Sequence, residues 1–421
     1  MDEVFGVTIE ILDVVKPYSP EFQTKAEFDK GWQSALKKAY QNAVVRCQCK
    51  GKGERRLAIK HSSASGRFSL AKFCLTGHNH AHDCRFHAAN PAMSGTAGYV
   101  SGVIDPLDDG RIAIKLGIGL KLAEPKALET PSLPPVRNGR PAGQAAMRLL
   151  GLLHLLWEES GLNTWRPGFK GKRSKEGAQK WIRAAASNIF ANRVELQDVL
   201  ILPAEVENGV GHKLNEANVK AAIAHGRRLV VIAVLAKFQP AQQEATRLRI
   251  SGFHGVPYIF VTPTLWARVS RRFPIAYYGA WRQGHQTIAI LQVEMRTTKT
   301  GSQADAVDMA LMAVNKNWIP FESSYEMKIA DMLCAADRAF TKPLRYDAAA
   351  DAVFPDFILT DTTRDLPMEV FGRTNEAYAI RQDQKVAYYS KNFGTGNWWC
   401  WNAATDLTGA AIPPFPAKSS A

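Results

Sequence analysis

The stretch "VFPDFILTDTTRDLPMEVFG", Val353 to Gly372, narrows the possible folds of this chain more than any other. Two runs of β-favouring apolar residues flank a polar turn, which reads as two adjacent strands. Each strand nevertheless keeps one acid, Asp356 after Pro355 and Glu369 after "LPM". A carboxylate kept in a buried strand needs a chemical reason, because burying a charge is costly. The neighbouring segments extend the pattern. "ESSYEMKIADMLCAAD" places Ile329, Met332, Leu333 and Ala336 on one helical face. "FTKPLRY" reads as a short strand or edge, "NEAYAIRQDQKVAYYSKNF" as a helix and "NWWCWNA" as a last strand. The expected order over residues 321–421 is helix, three strands, helix, strand.

Two carboxylates at the ends of adjacent strands suit one chemistry well. A divalent metal on a phosphodiester needs hard oxygen ligands a few ångströms apart, and Mg²⁺ takes few of them because it retains water. Asp356 and Glu369 are therefore the candidate ligands for Mg²⁺ or Mn²⁺, and a nearby lysine could orient the attacking water. The competing reading is local, because Asp after Pro commonly opens a turn and a Glu near a Gly can simply end a strand.

Pro355-Asp356 opening one strand and Glu369 in the next, within that element order, resemble the PD-(D/E)xK, or restriction-endonuclease-like, nuclease superfamily. The resemblance implies that Asp356 and Glu369 bind the metal, that the Val370 carbonyl completes the site, and that a carboxylate on the preceding helix assists. Glu326 is the first choice for that last role and Glu322 the second. The superfamily's Glu-x-Lys is not kept, since Phe371 stands where the lysine belongs. Some members carry the lysine on the following helix, which points to Lys385, roughly four turns on at 3.6 residues per turn. If Lys385 instead faces outward, the expectation is a catalytically dead relic.

The front of the chain carries a second constellation. Cys47 and Cys49 in "CQC" are followed by "CLTGHNHAHDCRFH", with Cys74, His78, His80, His82, Cys84 and His87. Thiolates and imidazoles at this density favour tetrahedral zinc. The expected ligands are Cys47, Cys49, His80 and Cys84, with Cys74 the main rival to His80, and the site is expected to be structural. A zinc hydrolase here would need an open position and a carboxylate base, for which Asp83 is the close candidate. The plain alternative is a His-rich loop beside buried free cysteines. Cys334 and Cys400 read as core residues.

Between these ends the organisation is coarser. Residues 1–125 alternate in short runs broken by Gly and Asp-Gly, which predicts a β-rich, zinc-stabilised domain. Residues 126–142 are rich in Pro, Gly and polar residues and read as a linker. Residues 143–210 read as a compact helical module of winged-helix outline, and 211–320 as a middle β segment. The formal charge of +14 over 421 residues fits a polyanion partner, nucleic acid and in particular DNA. Candidate phosphate contacts are Lys170, Lys172, Arg173 and Lys175 beside Trp165 and Trp181, and Arg268, Arg271 and Arg272 in "WARVSRRF". Each patch could equally be a solvated face. Trp398, Trp399 and Trp401 read as strand core. The first residues have no signal-peptide pattern and no run is long enough to span a bilayer, so a cytoplasmic protein is expected.

"CQCKG", "GHNHAHDC", "LLGLLHLLWEESGLNTW" and "PDFILTDTTRDLPMEVFG" together resemble, over nearly the whole chain, a bacterial family of unknown function carried on plasmids and other integrating elements. That resemblance implies a mobile-element accessory protein and brings no activity of its own. The expectation is thus an α+β multidomain protein ending in an α/β restriction-endonuclease-like domain. The rival expectation is a non-catalytic DNA-binding or assembly protein on a degenerate nuclease fold.

Overall fold

The computed structural model describes residues 3–62, 65–88, 90–122, 145–240, 246–298, 301–346, 354–372, 376–406 and 408–419. The stretch expected to be a linker, 126–142, lies outside them.

The chain opens with β1 (Val7–Ile11) and β2 (Val14–Tyr18), then α1 (Pro20–Thr24) and α2 (Asp29–Ala39), then β3 (Val44–Cys47), β4 (Arg56–Ser62) and β5 (Arg67–Lys72). The five strands form one antiparallel sheet in the order β2-β1-β3-β4-β5. Trp32, Leu36 and Ala39, spaced at helical intervals, bury one face of α2 against Val7, Ile9, Val45, Leu57 and Ile59. Cys47, Cys49 and Cys84 belong to the same small core.

Next come β6 (Ile104–Pro106), β7 (Ile112–Ile114), α3 (Leu149–Ser160), β8 (Thr164–Trp165), α4 (Lys175–Ala186), β9 (Ile189–Ala191) and β10 (Val194–Glu195). A second sheet runs β10-β9-β7-β6 and so joins strands from 1–125 to strands from 143–210. Helix α3 is apolar nearly all round and is buried accordingly, ending at Gly161 with φ of 70°, a left-handed conformation that favours glycine. Helix α4 starts where Ser174 accepts a hydrogen bond from Gly177 N.

The third sheet is built from β11 (Leu200–Ile201), β12 (Leu229–Val234), β13 (Tyr258–Phe260), β14 (Thr287–Thr298) and β15 (Gly301–Ala313), in the order β11-β12-β14-β15-β13. Helices α5 (Val210–Ala224) and α6 (Pro263–Arg272) interrupt this stretch, and α6 is the "WARVSRRF" segment. One continuous hydrophobic core runs from Cys74 through α3 and the long β14–β15 hairpin to Tyr346.

The C-terminal elements appear in the expected order: α7 (Ser324–Ala335), β16 (Phe340–Thr341), β17 (Phe357–Leu359), β18 (Leu366–Phe371), α8 (Glu376–Phe393) and β19 (Trp399–Asn402). Their sheet runs β19-β18-β17-β16-β8, so a two-residue strand from the middle of the chain completes its edge. Within this sheet β18 and β19 pair in parallel, which a crossover through α8 requires, and the other described pairs are antiparallel. Ile329 and Leu333 of α7 are buried as expected, with Met332 partly so, whereas Ala336 is exposed and Ala330 and Cys334 join the core instead. Trp399 and Trp401 are core, and Cys400 between them is half-buried on the other face.

Candidate metal centre and acid cluster

Strand β18 is buried on both faces. Leu366, Met368 and Val370 point into the core that α7 covers. By the two-residue alternation of a strand, Glu369 points to the opposite face, under α8. Asp356 sits immediately before β17, where its amide bonds to the Met368 carbonyl at 3.0 Å and its Oδ2 accepts from Val370 N at 2.8 Å. Both acids are nearly inaccessible, Asp356 at 4% and Glu369 at 1%.

Lys385 does not face outward. Its Nζ lies 2.9 Å from each Glu369 oxygen, and Tyr389, one turn further along α8, donates its hydroxyl to Glu369 Oε1 at 2.8 Å. Burial, then the nearby Asp356 charge, push Glu369 up to about 8 against the pull of Lys385. Burial and the Glu369 charge push the Tyr389 phenol well above its usual range.

Glu326, at the start of α7, accepts from Glu322 N at 3.0 Å and pairs with Lys342 Nζ at 2.8 Å. The same Nζ is 3.9 Å from Asp356 Oδ1. Burial raises Glu326, although Lys342 opposes it. Lys342 is raised because Glu326 and Asp356 together outweigh its desolvation. Glu322 turns instead to Arg345. Lys342 and Tyr389 were missed in the sequence, where "FTKPLRY" reads as a short strand or edge and "AYY" only as part of a helix. An unpaired buried acid was the available signal that a second cation was needed.

The Cys/His site forms from two knuckles. The Cys47–Cys84 sulfurs are 3.8 Å apart, and His80 Nδ1 lies 3.6 Å from Cys49 Sγ and 3.7 Å from Cys84 Sγ. All four donor atoms fall within 4.8 Å of one another and all four residues are buried. Zinc–ligand bonds of about 2.3 Å to sulfur and about 2.0 Å to nitrogen give tetrahedral edges of ~3.8 and ~3.6 Å, so the donor set fits that ion. The hydrogen bond between Cys47 and Cys84 draws the Cys47 thiol well below its usual range, whereas Cys84 is pushed up by Cys47 and by burial. Cys74 is not part of this site. It lies in the large core, where burial and the charge of Glu159 push its thiol up.

The basic candidates separate. Arg173 departs from the phosphate-contact expectation: it is buried, and its guanidinium donates to the carbonyls of Leu162 and Asn317 at 2.8 Å, of Gly161 at 3.0 Å and of Thr164. Lys170 is exposed and pairs loosely with Asp337 at 3.4 Å. Lys172 is exposed, and Lys175 bonds Glu205 and Ser251. Arg268, Arg271 and Arg272 are exposed on α6, with Arg268 bonded to Asp308 at 2.9 Å. A cleft of about 780 Å³ between the first sheet and the α3–α4 region was not foreseen; Arg67, Lys72, Arg85, Lys180 and Trp181 are among its lining, as are Glu158 and Glu159.

No helix among the described residues is long and apolar enough to cross a membrane. These features define a mixed α+β protein with a buried Cys₃His cluster and a lysine-bridged acid cluster. The chain belongs to the family described as "Protein of unknown function (DUF1173)", which matches residues 21–404. No curated protein matches it. No solved structure matches it either.

Proposed function

We propose that this is a nuclease-like protein of a mobile element that hydrolyses DNA phosphodiester bonds in the cytoplasm. Its C-terminal sheet is read as a restriction-endonuclease-like domain with the lysine moved onto the following helix. One observation carries the reading: Lys385 reaches back from α8 onto Glu369, on the strand next to Asp356. The oxygen donors suit Mg²⁺ or Mn²⁺. Asp356 Oδ1 is the oxygen not used by the backbone, Glu369 would share its carboxylate with Lys385, and Glu326 would support a water shell. When bound, the ion supplies charge for the phosphoryl oxygens. Lys385 would orient a water and offset developing negative charge, while Val370 N holds Asp356 in place. The exposed arginines of α6, with Lys170 and Lys172, would grip the phosphates. The Cys47, Cys49, His80, Cys84 site would hold structural Zn²⁺ in an N-terminal β-rich domain.

A second reading is a DNA-binding or assembly protein on a degenerate nuclease fold. It is favoured by the lysines themselves, since Lys342 and Lys385 already pair with the buried acids. Labelled single-stranded, duplex and branched DNA, incubated with Mg²⁺, Mn²⁺ or EDTA, separates the two. Metal-dependent cutting by wild type, lost in Asp356→Ala, Glu369→Ala and Lys385→Ala, supports the nuclease. DNA that is bound and never cut supports the second reading.

A further inference from the structure

Two histidines left over by the zinc quartet turn to a single carboxylate from the far end of the chain. Asp365 Oδ1 lies 2.9 Å from His82 Nε2 and 3.3 Å from His87 Nε2. The three donor atoms fall within 4.8 Å of one another. Asp365 is the last residue before β18, whereas the histidines flank Cys84 of the zinc knuckle.

The hydrogen bonding of His87 says what belongs between them. Its Nδ1 is 3.3 Å from the His80 carbonyl oxygen. A carbonyl only accepts, so Nδ1 carries the proton, and a neutral His87 then presents its Nε2 lone pair to the carboxylate. Two lone pairs facing each other at 3.3 Å need a cation, either a second proton or a metal ion. The bond to a backbone carbonyl is also how a metal-binding histidine is usually held in the correct tautomer.

We propose that His82, His87 and Asp365 form a second metal site, taking one divalent first-row transition ion. Two imidazoles and one carboxylate select zinc, cobalt or nickel over magnesium and calcium. The His87 side chain is 7% exposed, His82 32% and Asp365 26%, so the site is walled on one side and leaves positions for water on the other. It is separate from the acid cluster, because Asp365 is four residues from Glu369 along β18, ~13 Å at ~3.3 Å per residue. An ion here staples the zinc knuckle to the β17–β18 turn.

The test is a cobalt titration of the full-length apoprotein in excess Mg²⁺, which keeps hard-oxygen sites filled. Wild type is expected to take two equivalents. One brings the thiolate-to-cobalt charge-transfer band of the Cys₃His site, and the other adds none. His82→Gln, His87→Gln and Asp365→Asn are expected to take one equivalent with the thiolate band intact. Saturation of wild type at one equivalent overturns the proposal and leaves an imidazolium–carboxylate pair. So does a second equivalent that survives in His82→Gln, whose partly exposed side chain makes it the variant least able to disturb folding.

Discussion

Lys385 Nζ is equidistant, at 2.9 Å, from both oxygens of Glu369, which places a helix cation on a strand acid that has 1% exposure. Burial and Asp356 press Glu369 towards its protonated form, and α8 supplies the groups that oppose them. Replacing Lys385 by Ala leaves only the Tyr389 hydroxyl, and removing one partner of a buried ion pair costs about 3–5 kcal/mol. Lys385→Ala is expected to lower the urea midpoint and to abolish cutting. Lys385→Ala with Glu369→Gln is expected to recover the midpoint without the activity. Unchanged stability in Lys385→Ala would show that the pair is not formed in solution.

Lys342 plays the matching part for Glu326 and Asp356. Lys342→Ala is expected to destabilise the fold by about 3–5 kcal/mol, since it strands two buried carboxylates. Lys342→Met with Glu326→Gln is expected to regain most of that loss. Additive losses in this double-mutant cycle would argue against direct coupling.

The zinc assignment separates cysteines that look alike in the sequence. Cys47→Ser and Cys84→Ser are expected to lose the tightly held zinc and to lower the thermal midpoint. Cys74→Ser, in a different core, is expected to retain it. Metal analysis after dialysis reads this directly, and zinc lost from Cys74→Ser would remove the assignment.

Arg173 and the α6 arginines are expected to fail in opposite ways. Arg173→Ala uncaps four carbonyls and should cost about 2–4 kcal/mol of stability while leaving the salt dependence of DNA binding unchanged. Arg268, Arg271 and Arg272 replaced together should leave the thermal midpoint nearly unchanged. Each lost phosphate contact should lower the slope of log K against log salt by about 0.9.

Glu158, on α3, offers a pH test away from the Cys/His cluster and from the acid cluster. Burial pushes it up to about 7, despite Lys72 and a hydrogen bond from Tyr346. In the unfolded chain it loses its proton near its ordinary value of about 4.3. Between those values the native state holds the extra proton, so this group's contribution to stability falls as pH rises from about 4.5 to 7. Glu158→Gln is expected to remove that decline, a difference on the order of 1–3 kcal/mol across the window once partial exposure is allowed for. Parallel pH profiles of wild type and variant would refute it.

Local chemistry made much of this legible. The order of elements from α7 to β19 follows from side-chain periodicity and turn residues, both properties of short segments. Gly161 ends α3 for the same reason. The four residues of the buried Cys/His cluster could be chosen as candidates because thiolate and imidazole chemistry narrows the set before any fold is known.

What remained hidden joins residues far apart in the chain. Thr164 pairs with Thr341 across 177 positions where β8 joins the C-terminal sheet, and His82 meets Asp365 across 283. Lys342 looked like edge strand and Arg173 like a phosphate contact, because a lysine or arginine carries no local mark of which carboxylate or carbonyl it will face. Residue type and spacing by themselves determined the order of elements from α7 to β19 and the candidate ligands. Which cation neutralises which buried acid was decided only when the elements packed, because that pairing depends on distances of a few ångströms between segments that the chain does not connect.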